Sequence, residues 1–547
     1  MPDSDPRINL LWLSEDLPPP NWDLGAVIPC QPLPVLLTAC LAGADPDVDA
    51  WLLWDPILGS PPTDPLPSLL GGPADLWHAG LKLGLAGQPE ILDFVTPTWM
   101  LNRDPDPEIP ATSWRLSLRA CLVRGAVLRQ MGPPDPNFDS LDGAGIAWGY
   151  RLVRKGVFPR HQPDLVAGSP QPAVALPLVD QLRFLQFTFD RRWQIWASIR
   201  AVLSGAVRPL ALLRGWQQVR TEDPHPSGQV FQRDLPRPPV DLSKARVSVL
   251  IPTLHRYPYL RTLLKQLRHQ TTPPYEILVV DQTRKDQRDP TLMADYADLP
   301  LRYLPLDRAG QCSSRNHGLR MARGDYILFI DDDDEVPPDL LQKHLAALQG
   351  LGVRVSSGVA QEVGAGELPA DFRYRRVSSV FPTNNTLIRK SILGQSGLFD
   401  LAYERGQRAD HDLGMRLYLA GELMVLNPHI QVLHHHAPQG GLRQHKARVS
   451  TYAAARRGIF AQNLPTVSDL YLALRYFSNR QVREMRWISL LGTFSLKGSL
   501  WKRLAKFLVA LFSLPYHLWR LHQRHLTAQE MLKTYPQIPQ FLEEESA

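Results

Sequence analysis

Cysteine is scarce in this chain. The 547 residues include four cysteines, Cys30, Cys40, Cys121 and Cys312, and none stands in a CxxC or other metal-ligand spacing. Free thiols in a reducing compartment are expected, with no zinc site and no redox pair. Long apolar runs are missing too. A bilayer-spanning helix needs roughly 20 apolar residues, and the nearest run, Phe507 to Leu514, falls well short. The opening MPDSDPRINLLWLSEDLPPP has no basic segment followed by an apolar one, so a secretory signal is not expected and a cytoplasmic location is.

What is present is the composition of a folded protein: 44% apolar and 21% charged residues, with 51 prolines that imply many ordered loops. The length exceeds what one core supports, so about three structural units are expected. The net charge of +6 is concentrated, because Arg475 to Arg524 holds ten Lys/Arg against one acid, Glu484. That stretch carries about +9 and the remainder about −3.

The most informative stretch is GDYILFIDDDDEVPPD, Gly324 to Asp339, in which an apolar run stops at four consecutive aspartates. Four like charges share a place only where solvent screens them or a cation sits among them. Hard oxygen ligands select Mg2+ or Mn2+ over zinc. Two readings stand for Asp331, Asp332, Asp333 and Asp334: a cation site at a strand end, or a solvated acidic loop capping a helix that begins near Pro337.

The flanking chain has a doubly wound pattern. Val247–Ile251, Glu276–Val280, Leu301–Leu304 and Tyr326–Ile330 read as strands, with helices over Tyr257–His269 and Ser313–Ala322. Strand and helix alternation predicts an α/β fold with a mostly parallel sheet. Asp281 and the aspartate cluster then share one sheet edge, which suits a nucleotide: Asp281 accepts from base or ribose, and the cluster holds a metal on the diphosphate.

VSVLIPTLHRYPYLRTLLKQLRHQ, EILVVDQT and GQCSSRNHGLRMARGDYILFIDDDDEV together resemble the opening of a family 2 glycosyltransferase with the Rossmann-like GT-A fold. The resemblance implies that Pro252, Thr253 and Asp281 bind the nucleotide and that Arg315 and Asn316 line the sugar nucleotide. It further implies that the D-x-D pair, Asp331 and Asp333, with Asp332 between them, serves ribose and metal. NNTLIRKSILGQSGLFDLAYERGQRADHDLGMRLYLAG resembles the family's acceptor-side segment, making Asp410 the general base and Asp412 a helper or structural acid. The family usually has Glu before this Asp, and here Ala409 stands there. An inverting transfer needs one carboxylate near the acceptor hydroxyl and charge neutralisation on the leaving side; an ordinary helix N-cap is the competing role for Asp410. After the strand-like Ile430–Leu433, one of His434, His435 and His436, taken as His434, is expected to complete the metal site. Three adjacent residues on an extended chain cannot all face one ion. Arg443 or His445 is a candidate to face the diphosphate.

The N-terminal region repeats this pattern. At a constant shift of 265, Leu122–Pro163 pairs with Leu387–Pro428, with identities that include Arg124/Arg389, Gly132/Gly397, Asp135/Asp400, Arg151/Arg416 and Gly156/Gly421. WLLWDPIL, Trp51 to Leu58, sits where ILFIDDDD does. Asp410 falls on Gly145, Asp412 on Ala147, and the metal motif is reduced to Asp55. A shortened, non-catalytic GT-A-like domain is expected.

The organisation expected is therefore 1–175 as this shortened domain, 176–220 as a basic helical segment, 221–245 as a proline-rich linker, 246–462 as the catalytic domain, and 463–547 as a basic amphipathic helical tail. The tail, with Trp487, Trp501 and Trp519 beside Arg486, Lys502, Arg503 and Lys506, suits an anionic membrane surface. A helical face packed on the protein is the alternative, and nucleic acid ranks last for want of a binding motif. Without spanning helices or the Q-x-x-R-W spacing of processive synthases, a single-sugar transfer is expected. The resemblance implies an inverting transferase using Mg2+ or Mn2+, with a nucleoside-diphosphate sugar donor and a glycan or lipid-linked acceptor. Its rival is an inactive carbohydrate-binding or scaffold protein.

Overall fold

The computed structural model describes residues 6–541 except 18–19, 44–47, 87–89, 96–101, 220–228, 234–243, 365, 379–380, 438–463 and 495–498. Arg443 and His445 lie outside the described residues, as does most of the expected linker.

Two sheets organise the chain. The first runs β2-β1-β3-β6-β4-β7-β5, from strands β1 Ile8–Trp12, β2 Val27–Pro29, β3 Ala50–Trp54, β4 Leu76–His78, β5 Ala111–Thr112, β6 Ala120–Arg124 and β7 Pro159–His161. The second runs β10-β9-β8-β11-β15-β13-β16-β12, with β14 on β16. Its strands are β8 Val247–Thr253, β9 Glu276–Asp281, β10 Leu301–Pro305, β11 Tyr326–Phe329, β12 Asp334–Glu335, β13 Val355–Glu362, β14 Arg376–Val377, β15 Thr386–Arg389 and β16 Met424–His434. Every residue of β9 is buried, as the unbroken apolar run of a central parallel strand requires. The Asp-tipped ends of β9 and β11 emerge on one edge, because β8 pairs in parallel with both.

The sheets share one topology. β1 lies parallel to β2 and β3, and β8 lies parallel to β9 and β11; β6 and β15 then cross antiparallel in the same place. The register agrees as well. Ala111 faces His161 and Thr112 faces Arg160, while Arg376 faces Leu426 and Val377 faces Val425, each pair displaced by the shift seen in the sequence. Local detail follows: Gly132 and Gly397 have φ of 71° and 70°, and Gly156 and Gly421 have 97° and 84°. Arg151 donates to the Met131 carbonyl, and Arg416 donates to that of Ser396.

The two units also meet reciprocally. A Cβ on Gly421 would lie 2.4 Å from the Pro110 carbonyl oxygen, and one on Gly156 would lie 2.8 Å from that of Arg375. Positions 110 and 375 are themselves equivalent, so contact i to j is matched by j to i, the pattern of a two-fold interface. Tyr418 Oη donates to the Arg103 carbonyl at 3.0 Å and Arg160 to that of Gly421 at 3.1 Å.

The expected 176–220 segment forms helices Leu178–Thr188, Arg191–Leu203 and Pro209–Gln218. Four more helices follow the second sheet: Val467–Tyr476, Asn479–Gly492, Leu500–Phe512 and Leu514–Thr534. Arg200 and buried Glu484 join the two groups by paired 2.7 Å hydrogen bonds. The described part of the expected linker is packed down. Phe231 is buried, and Arg233 forms an ion pair with buried Asp75. The helix expected near Pro337 begins at Leu340.

Gly421 combines a positive φ with backbone contact, so Gly421→Ala is expected to cost about 1–3 kcal/mol, read as a lowered thermal midpoint. An unchanged midpoint would show that the units separate there without penalty.

Candidate active site

The end of β11 is where burial and charge collide. Asp332, Asp333 and Asp334 are 3%, 1% and 1% exposed, so three of the four carboxylates are inside the protein. Buried charge persists only with partners. Asp332 accepts from Thr253 Oγ1 at 2.7 Å and from Arg256 Nη1 at 3.0 Å. Burial outweighs Arg256 and pushes the Asp332 carboxyl up to about 7. Asp333 Oδ2 accepts the Ala437 N–H at 2.8 Å. Asp334 Oδ1 holds His434 Nδ1 at 2.7 Å, and its other oxygen takes the Asp331 N–H at 3.0 Å. Burial opposes the His434 imidazolium, yet Asp334, Asp331 and Asp333 together lift it to about 9. The solvated-loop reading of the cluster therefore fails for all but Asp331.

Asp331 is 28% exposed and pairs with Arg315 at 3.1 Å. Asp333 Oδ1 lies 3.1 Å from Arg256 Nη1 but receives no hydrogen bond, an orphaned buried acceptor. Mg2+ and Mn2+ retain waters and phosphate oxygens and require only one or two carboxylates; Asp331 and Asp333 fit that need. His434 stands instead as the partner of Asp334, 3.9 Å from Asp333 Oδ1. Among the described residues, no three His, Cys, Asp or Glu side chains are grouped to hold a metal ion.

The other expected residues divide. Pro252 and Thr253 end β8 beside the cluster. Asp281 is wholly buried and accepts from Tyr257 Oη at 2.6 Å, Tyr303 Oη at 2.5 Å and the Thr283 N–H at 2.8 Å. Asn316 is buried and clamps Phe399, donating to its carbonyl and accepting from its N–H at 2.8 Å each. It ties the helix to the segment at Phe399.

Helix Gln311–Met321 thereby becomes a strut between the two halves of the site. One side sends Arg315 to Asp331; Gln311 and Asn316 hold the segment 399–406 that leads to Asp410. Glu404 accepts the N–H groups of Cys312 and Ser313 at 2.8 and 3.0 Å, filling the positive end of this helix. Asp410 opens helix Ala409–Leu419 at its second residue, without capping it, so the N-cap role is not the one adopted. Its side chain is 39% exposed, with His411 Nδ1 3.0 Å away. Burial alone pushes the Asp410 carboxyl up, but His411 and Arg408 outweigh that and hold it at about 2. Asp412 is fully buried between Arg416 and Tyr476 Oη, a structural acid.

Three side chains that the sequence patterns did not single out are central: Arg256, Glu404 and Arg408. Arg408 donates to Asp469 at 2.6 Å and stands 3.0 Å from His411 Nε2. Among the described residues, the non-glycine residues with positive φ are His255, Arg408 and His436. All three adjoin the site, where backbone strain of this kind concentrates. An arginine directly before a helix and three residues past a strand end was the available signal for Arg256.

Parallel acid-tipped strands crossed by an antiparallel one define a GT-A fold. Residues 248–408 match the family Glycosyl transferase family 2. The match is confined to this segment of the chain. The chain is 27% identical over 168 residues to the uncharacterized glycosyltransferase YwdF of Bacillus subtilis, covering 28% of this chain and 62% of that one. To the putative colanic acid biosynthesis glycosyl transferase WcaA of Escherichia coli it is 26% identical over 274 residues, covering 47% and 96%. The chain thus spans just under two thirds of YwdF. Among solved structures, S. aureus TarS 1-349 in complex with UDP-GlcNAc aligns with a TM-score of 0.35 and 18% identity, covering 53% of this chain and 92% of that one.

Removing Arg256 strips buried Asp332 and Asp333 of the guanidinium they share, so Arg256→Met is expected to destabilise the protein by about 3–5 kcal/mol. Denaturant unfolding measures it; a loss below 1 kcal/mol would show that the buried pair draws its support elsewhere.

Proposed function

We propose that the chain is an inverting glycosyltransferase that moves one sugar from a nucleoside-diphosphate donor to a glycan or lipid-linked acceptor in surface polysaccharide or glycolipid synthesis. The observation that carries this reading is the orphaned, buried oxygen of Asp333 beside half-open Asp331 at the end of β11, in the family 2 segment. Asp410, half-exposed at the start of its helix, takes the proton of the acceptor hydroxyl as the hydroxyl oxygen bonds to the anomeric carbon. The bond from that carbon to the diphosphate oxygen breaks on the opposite face, and the electron pair leaves with the nucleoside diphosphate. Asp331 and Asp333 are the residues to hold Mg2+ or Mn2+, which supplies Lewis-acid neutralisation of the leaving diphosphate when bound. Arg315 orients Asp331, and the strut helix keeps Asp410 at a fixed place relative to it.

The first unit acts as a support. A side chain at Gly145, the position matching Asp410, would lie 2.6 Å from the Leu116 carbonyl oxygen. Asp55 is bound by Arg119, which also holds Asp142.

Donor hydrolysis and binding are measured over a panel of nucleotide sugars with Mn2+ and with EDTA. Asp410→Asn is expected to lower turnover about 10²–10⁴-fold while donor still binds; Asp333→Ala is expected to abolish metal-linked donor binding. Absence of any metal-linked binding in the native protein would reject the enzyme in favour of a carbohydrate-binding scaffold.

A further inference from the structure

Helix Leu500–Phe512 is turned inside out. In a water-exposed helix the apolar stripe faces the core and the charges face solvent. Here Leu500, Trp501 and Phe512 are 78%, 79% and 81% exposed, and Leu504, Leu508 and Leu511 are exposed with them. The side turned to the protein carries Ala510 and a charged residue, Lys506, which is 8% exposed. At 100° per residue, the outward residues span one continuous apolar arc, and exposed Lys502 and Arg503 stand at its two borders. Helix Leu514–Thr534 extends this surface with Tyr516 and Trp519, 50% and 58% exposed and 6.0 Å apart.

The charge around this arc selects its occupant. From Met485 to Gln529 the sequence has seven Lys/Arg and no carboxylate. A second copy of the same surface brings only like charge to it. An anionic lipid surface brings both an apolar layer for the arc and phosphates for its flanks, and tryptophan and tyrosine settle at that boundary. Among the described residues no helix is long and apolar enough to cross a membrane. We propose that Leu500–Phe512 lies in the plane of an anionic membrane with Trp501, Leu504, Leu508 and Phe512 in the acyl boundary, Lys502 and Arg503 reaching headgroup phosphates, and the helix Leu514–Thr534 anchoring it to the second unit. This surface goes beyond the sugar-transfer reading and does not rest on it.

Flotation of the full chain with vesicles tests it, using phosphatidylcholine alone and phosphatidylcholine mixed with phosphatidylglycerol. Binding to the mixed vesicles is expected, weakening with salt and accompanied by a blue shift of tryptophan emission. Lys502→Glu with Arg503→Glu is expected to weaken it about tenfold or more. Trp501→Glu with Leu508→Glu is expected to abolish it, with the thermal midpoint unchanged because both side chains face outward. Three results overturn the proposal: no binding to mixed vesicles at low salt, equal binding to neutral ones, or light scattering that shows a dimer dispersed by Trp501→Glu with Leu508→Glu in a protein that ignores vesicles. Donor hydrolysis by the same samples is read separately, so loss of docking is distinguishable from loss of chemistry.

Discussion

The burial of three consecutive carboxylates at the end of β11 is the constraint from which the site follows. A carboxylate removed from water needs donors from every side, and the chain supplies them from distant segments. Thr253 and Arg256 come from β8 and the loop after it, and Ala437 and His434 come from the end of β16 and beyond. The same hydrogen bonds that make Asp332, Asp333 and Asp334 tolerable therefore fix three strand ends against each other. The pairing of Asp334 with His434 across β12 and β16 is part of this closure. One oxygen, Asp333 Oδ1, takes no hydrogen bond and meets only the charge of the Arg256 guanidinium, 3.1 Å away. An unsatisfied buried acceptor in an otherwise satisfied cluster is the kind of exception that marks a function.

The first unit shows what happens when that constraint is relaxed. It keeps strand order, register and the left-handed glycines, features set by packing and, at Gly156, by a carbonyl contact. Only one acid, Asp55, remains at the matching strand end, and a single arginine compensates it. The space at Gly145 has closed to less than a side chain. Fold is retained by the core, whereas chemistry is retained only where specific polar partners persist.

Strands were legible in the sequence to within two residues for β8, β9, β10 and β11; β8, β9 and β11 are central, buried apolar runs, whereas β10 lies half-buried at the sheet edge. β3 was legible through the match of WLLWDPIL to ILFIDDDD. The site was legible as a set of strand-end acids and less so as roles. Asp281 and Asn316 carry side chains suited to a ligand, yet here tyrosines and Phe399 take their hydrogen bonds. Such assignments depend on contacts between residues 22 to 83 positions apart, which local pattern does not encode. Glu404 was invisible for the same reason: its partners at the strut helix lie 91 and 92 positions away.

The reciprocal contacts of Gly156 and Gly421 add a mechanical consequence. Two units in a two-fold arrangement each present to the other the turn after a helix, Leu141–Val153 in the first and Ala409–Leu419 in the second. In the second unit that helix begins at Ala409, one residue before Asp410, and ends at Leu419, two residues before Gly421. The first unit, through Arg103, Pro110 and Arg160, grips the end of the helix opposite the carboxylate. A helix held at its C-terminal end by one unit, and at its N-terminal end by Arg408 on Asp469, has little freedom to swing. The first unit, with Gly145 at the position matching Asp410, thus holds the far end of the helix that carries the Asp410 carboxylate.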